Sequence, residues 1–72
     1  NGDGVVRNYQ EAMRLFRLSA MQGDKYGQTS LAAMYLNGYG VAKDVKEAVK
    51  WYRLAAAQGD VNAEKALKRL NQ

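Results

Sequence analysis

Asp44 and Glu47 are two carboxylates three residues apart, the spacing at which one looks for acid–base chemistry. Thirty-six positions earlier stand Asn8 and Glu11, in the same relation. A capping box explains both pairs at once: the first side chain accepts from the backbone N–H three residues on, and the Glu reaches back to the first residue's own N–H. The next chemical candidate is Gly-x-Gly, at Gly2-Asp3-Gly4 and Gly38-Tyr39-Gly40. A phosphate loop needs a strand before it and a helix amino terminus to receive the phosphate. Gly38-Tyr39-Gly40 follows a helical pattern instead, so the glycines read as turn geometry. The chain has no His and no Cys, which removes the usual general base, the commonest metal ligand and any thiolate site or disulfide. No nucleophile–base pair or ligand cluster emerges. The expectation is a protein that is not an enzyme, with no catalytic, cofactor or metal site.

The elements that position these residues come in two copies. Aligning residues 1–36 with 37–72 requires no gap and gives thirteen identical pairs. Gly2/Gly38, Gly4/Gly40, Glu11/Glu47, Ala12/Ala48, Leu18/Leu54, Gln22/Gln58, Gly23/Gly59 and Asp24/Asp60 are among them. Self-similarity at a fixed period in the thirties is the mark of a stacked-repeat protein. With 72 residues there is room for one small domain near the lower limit for a self-sufficient core. Because the first residues correspond to a loop inside the repeat, the chain reads as a piece of a longer array. Absent proline and abundant Ala, Leu, Lys, Arg, Glu and Gln suit helices throughout. No apolar run approaches the ~18 residues of a membrane span.

Apolar residues at Tyr9, Ala12, Met13, Phe16 and Ala20, and at Val45, Ala48, Val49, Tyr52, Ala55 and Ala56, recur every three or four positions, as in an amphipathic helix. Gly23 and Gly59 suit a left-handed residue after a helix, and the aspartate behind each can cap the next one. Each Gln-Gly-Asp is therefore a tight turn between two helices. The second helix presents Gly27, Leu31, Met34 and Tyr35 on one face; its copy presents Ala63, Ala66, Leu67 and Leu70. Where the copies diverge, Ala32 and Ala33 become Lys68 and Arg69, so the last helix has the solvated side of a solenoid cap. Glu64 and Lys68 form a well-oriented i,i+4 pair. Residues 1–7 read as a glycine-rich connector. The expected architecture is all-α, an α/α superhelix of four antiparallel helices at about 8–22, 25–37, 44–58 and 61–71, forming a single array over residues 1–72. Small residues (Ala12, Ala20, Gly27, Ala48, Ala55, Ala56 and Ala63) let the helices approach closely; Phe16, Tyr35, Trp51 and Tyr52 fill the remaining space.

The run Leu31-Ala32-x-Met34-Tyr35-x-x-Gly38-x-Gly40-Val41-x-Lys43-Asp44-x-x-Glu47-Ala48-x-x-Trp51-Tyr52-x-x-Ala55-Ala56-x-Gln58-Gly59 resembles the Sel-one-like repeat family, a branch of the tetratricopeptide-like α/α solenoids. A plain tetratricopeptide has thirty-four residues per repeat and a proline near its end; neither holds here. Three departures concern packing: Ala32 where the family prefers Gly, Gly27 where it prefers Ala, and Leu15-Phe16 in place of Trp-Tyr. Secreted members with a cysteine pair per repeat, linked to β-lactam binding, are not matched. What the resemblance implies is a scaffold that holds another protein or peptide, without common catalytic residues.

In related solenoids the first helix of each repeat lines the concave surface. That selects Tyr26, Thr29, Ala33, Leu36 and Asn37 on one unit and Asn62, Lys65 and Arg69 on the next as partner-binding residues. Tyr39, between two glycines, is a further contact candidate, since exposed aromatics favour interfaces. Net charge is +4, with a pI near 9.6. Arg14, Arg17, Lys46, Lys50 and Arg53 form a basic stripe on the opposite, convex side, an alternative site for an anionic surface or nucleic acid. Aromatics are not interleaved with these charges as stacking on bases would require, so a solvated face is the simpler reading. Two units fall below the three or more usual for a stable array. Neighbouring repeats, or self-association through the first helix, are therefore expected to add stability.

Overall fold

The computed structural model describes the backbone of residues 2–70 and the side chains of residues 8–70. The helices are α1 (Gly2–Met21), α2 (Lys25–Asn37), α3 (Val45–Ala57) and α4 (Val61–Leu70), with no strand among the described residues. Each helix packs chiefly on its neighbours in the chain, which makes a row. The Cα envelope of 36 × 28 × 16 Å is a slab whose thickness fits two helix layers about 8–10 Å apart.

The centre of the row is α2, covered on two sides. Its Leu31 and Met34 join Met13 and Ala20 of α1 in one cluster, whereas Ala32 joins Ala48, Tyr52, Ala55 and Ala63 of α3 and α4 in a second. Trp51 and Tyr35 pack against both clusters and connect them. A helix buried on two sides carries its apolar residues around more of its circumference than a surface helix. This is why Gln28 and Ala32 are buried beside the expected Gly27, Leu31 and Met34. Small residues do line the contacts: Ala48, Ala55 and Ala63 are fully buried, and Ala20 nearly so. Ala12 and Ala56 are half-buried.

At Gly27 the need for a small residue is strict. A Cβ there would lie 2.6 Å from Ser19 Oγ and 2.9 Å from the Ala20 backbone nitrogen. In the second copy both partners change together: Ala63 replaces Gly27 and Ala55 replaces Ser19.

Helix ends follow the expected chemistry from Gly23 onward. The Asp24 carboxylate accepts from the amides of Tyr26 and Gly27, and Asp44 accepts from Glu47 N at 3.1 Å. Asp60 accepts from Asn62 N at 2.9 Å. Gly38 closes α2 in the left-handed region (φ 73°), with its amide donating to Met34 O at 2.8 Å. Gly40 is also left-handed (φ 71°), and a Cβ on it would meet the Tyr9 backbone at 2.8 Å. That close approach seats the 38–44 loop on α1, where the Tyr39 ring stacks on Tyr9 with centroids 4.9 Å apart.

Three expectations are corrected. Residues 2–7 are not a connector and Asn8 is not a cap: α1 runs without interruption from Gly2, so its start at about 8 was placed too late. In the second copy the loop is fixed by bonds back to the preceding helix, Tyr39 N to Met34 O and Asp44 N to Tyr35 O. Residues 2–8 instead continue α1, since a helix once nucleated gains one hydrogen bond for each further residue it orders. Second, the Asp44 capping box is half-formed. Glu47 accepts from the Trp51 indole at 3.2 Å and pairs with Lys50 at 3.9 Å rather than reaching back. Third, Lys50–Glu47 is the one ion pair among the described residues. Glu64 and Lys68 stay apart, as solvated side chains with little to gain from pairing commonly do.

Candidate functional site

Because α2 buries two of its sides, one row is left uncovered. Tyr26, Thr29, Ser30, Ala33 and Asn37 follow at helical spacing and are exposed or half-buried. Tyr26, 68% exposed, lies at one end of this row, and Lys25 Nζ lies 5.4 Å from its ring centroid. The middle is small and neutral. At the far end Asn37 is exposed and donates to Ala33 O at 2.9 Å, while Leu36 is half-buried against the second cluster. On α4, Asn62, Lys65 and Arg69 occupy the matching row and are exposed.

Of the nine residues selected from sequence, Thr29 has another employment. Its hydroxyl donates to the Asp60 carboxylate, tying α2 to the turn before α4. Tyr39 is 45% exposed and stacks on Tyr9, so together they form an aromatic pair at the loop.

The basic residues Arg14, Arg17, Lys46, Lys50 and Arg53 are all exposed. Two are engaged internally. Arg17 donates to the Tyr35 hydroxyl at 2.8 Å, and Lys50 lies over the Trp51 ring at 5.2 Å while pairing with Glu47.

Sequence reasoning missed a polar network that couples the copies. Gln58 Nε2 donates to Gly23 O at 2.8 Å and to Gln28 Oε1 at 3.0 Å, and Gln28 Nε2 donates in turn to Ala20 O at 3.2 Å. Gln28 is only 5% exposed, and every polar atom of its amide that needs a partner in the interior has one. The signal available beforehand was the identity of Gln22 and Gln58.

Electrostatics single out the two turn aspartates. Thr29's hydrogen bond holds the Asp60 carboxyl below its ordinary value against the opposing effect of burial, helped by the amides of Asn62 and Ala63. Ser19 does the same for Asp24. Burial pushes the Tyr52 hydroxyl up, partly offset by Arg69. These shifts follow structural hydrogen bonds and packing. No enclosed pocket and no converging set of metal-type side chains occurs among the described residues. Nor is any described helix long and apolar enough to cross a membrane. What the arrangement offers is a surface.

The model of the Sel1 repeat matches residues 1–24 and 25–60. The second match spans α2, the glycine loop and α3 and ends at the Asp60 cap. No curated protein and no solved structure matches the chain.

Proposed function

The chain belongs to the Sel1 repeat family, and on that premise we propose that it is a scaffold binding a peptide or protein partner along the uncovered row of α2 and α4. Sel1 repeats generally mediate protein–protein interaction, and the family is a non-catalytic scaffold family.

The observation that carries the choice of surface is Tyr26. Tyr52 is buried, and Tyr35, Phe16 and Trp51 pack against the core, but Tyr26 stands 68% exposed. It lies at the head of a shallow, neutral row whose small residues let another chain approach the helix. Exposed tyrosines beside such a row are typical interface anchors. Asn37, Asn62 and Lys65 would bond a partner backbone or its acidic groups, with Leu36 and Arg69 beside them and Tyr39 at the loop.

The test is a photoreactive residue placed singly at 33, 62 or 53 and exposed to the protein's binding partners. Adducts of the same partner from 33 and 62, lost on Tyr26→Ala or Asn37→Ala with helicity retained, support the reading. Adducts only from 53 transfer the site to the basic face. A steep fall of affinity with salt would accompany that outcome.

A further inference from the structure

The cations Arg14, Arg17, Lys46, Lys50 and Arg53 would by themselves read as a solvated face. Their neighbours change that. Gln10, Arg14, Arg17, Leu18 and Met21 fall on one face of α1 at helical spacing. Their counterparts Lys46, Lys50, Arg53, Leu54 and Ala57 fall on the same face of α3. All ten are exposed. Since α1 has α3 after it and α3 has α1 before it, a position open in both helices is open whichever side a neighbour stands on. The exposure therefore belongs to the unit and not to an end of the row.

Within this face Leu18 is 54% exposed, Leu54 44% and Met21 71%. Single exposed apolar residues need no explanation, but here a leucine is uncovered at the same place in both copies, each time beside two cations. Both helices pack on α2, and Trp51 of α3 reaches the cluster that Met13 and Ala20 of α1 build, so the two sets lie side by side. Five cations stand against Glu11 and Glu47 at the border of the face, a net of +3 out of the chain's +4. Glu47 is moreover taken up by Trp51 and Lys50.

The shape and the residue types select the occupant. No aromatic lies among the ten, so bases would find nothing to stack on. The slab is broad and shallow, 36 × 28 Å across, and no pocket among the described residues seats a peptide side chain. Cations around short apolar tips on a broad face match a bilayer interface. The cations meet anionic headgroups, and the tips enter the boundary below them. We propose that the α1–α3 face docks the protein on an anionic lipid surface, through Arg14, Arg17, Lys46 and Arg53 with Leu18 and Leu54 between them. This is independent of which surface holds a protein partner and leaves the row of α2 and α4 uncovered.

Cosedimentation with vesicles of equal parts phosphatidylserine and phosphatidylcholine tests it, beside vesicles of phosphatidylcholine alone. The chain should bind the mixed vesicles only, and binding should fall as salt is raised. Arg14→Gln with Arg53→Gln should weaken it by about twentyfold or more. Leu18→Gln with Leu54→Gln should weaken it by about threefold or more. Lys65→Gln with Arg69→Gln removes the same charge from α4 and should cost less than the arginine pair. All these side chains are exposed, so helicity by circular dichroism should be unchanged. Absent binding to the mixed vesicles overturns the proposal, as does equal binding to phosphatidylcholine alone. Equal losses from the α4 pair would overturn the choice of face. A single-stranded oligonucleotide bound as tightly as the vesicles, with the leucine pair silent in both assays, would overturn the choice of lipid.

Discussion

The two Gln-Gly-Asp turns share their sequence and their backbone, with φ of 91° at Gly23 and 88° at Gly59, yet they make different contacts. At the second turn Gln58 reaches across to Gly23 and Gln28, and Asp60 is buried with a bond from Thr29. At the first, Gln22 is exposed, and Asp24 is exposed with a bond from its near neighbour Ser19, 2.6 Å away. Identical residues become a joint only when another helix pair stands beside them. The difference teaches that the repeat encodes its own contact surface twice, and that one of the two surfaces is used within this chain.

The strongest way to break the comparison is at the paired glycines Gly40 and Gly4. Gly40→Ala places a side chain in the left-handed region and against the Tyr9 backbone, and should cost about 2–3 kcal/mol in urea denaturation. Gly4→Ala falls inside α1 and should instead stabilise by up to ~1 kcal/mol. Equal losses would show that residues 2–7 form a loop like residues 38–43. Next comes Gly27→Ala, expected to cost ~1–3 kcal/mol through the clash with Ser19 and α1. Adding Ser19→Ala relieves only the contact with Oγ, leaving Ser19 Cβ at 2.7 Å and the Ala20 nitrogen at 2.9 Å, so it should recover less than half of the loss, with the two changes still non-additive as expected of touching residues.

A smaller contrast separates the glutamines. Gln58→Ala should cost about 1–2 kcal/mol for two lost hydrogen bonds, whereas Gln22→Ala should stay within ~0.5 kcal/mol. The smallest effect is in pH dependence. Both turn aspartates are held below the ordinary value. Their charged forms therefore stabilise the fold above the usual carboxylate range, and that stabilisation is lost as pH falls through the lowered values. Thr29→Val should lower stability at neutral pH and flatten its decline on acidification, read from melting temperatures across acid pH. Ser19→Ala should act in the same direction at exposed Asp24, by less.

Much of this was legible because repetition converts weak signals into strong ones. A lone Gly-Asp is a poor helix boundary, but two of them thirty-six residues apart, each preceded by Gln, placed the turns and three of the four helices within a residue or so. The start of α1 was not legible, since the local sequence at Gly2 and Gly38 is nearly the same, yet one stretch is helical and the other is a loop tied back to Met34 O and Tyr35 O. Gln28 and Ala32 were missed as core because periodicity finds one buried face, and α2 has two. The proposed binding residues were selected by the resemblance to α/α solenoids, whose first helices line the concave surface, together with helical spacing. Neither could give Thr29's bond to Asp60, which joins residues thirty-one apart and exists only once the helices have stacked.

The stacking is tested most directly by a double-mutant cycle between Gln28 and Gln58, set beside the corresponding cycle between Glu64 and Gln22. A joint made by the second turn and left open at the first predicts a coupling of about 1 kcal/mol for Gln28–Gln58 and none beyond ~0.3 kcal/mol for Glu64–Gln22. Two couplings indistinguishable from zero would mean that the copies do not meet through these residues, and the row of helices would have to be rebuilt.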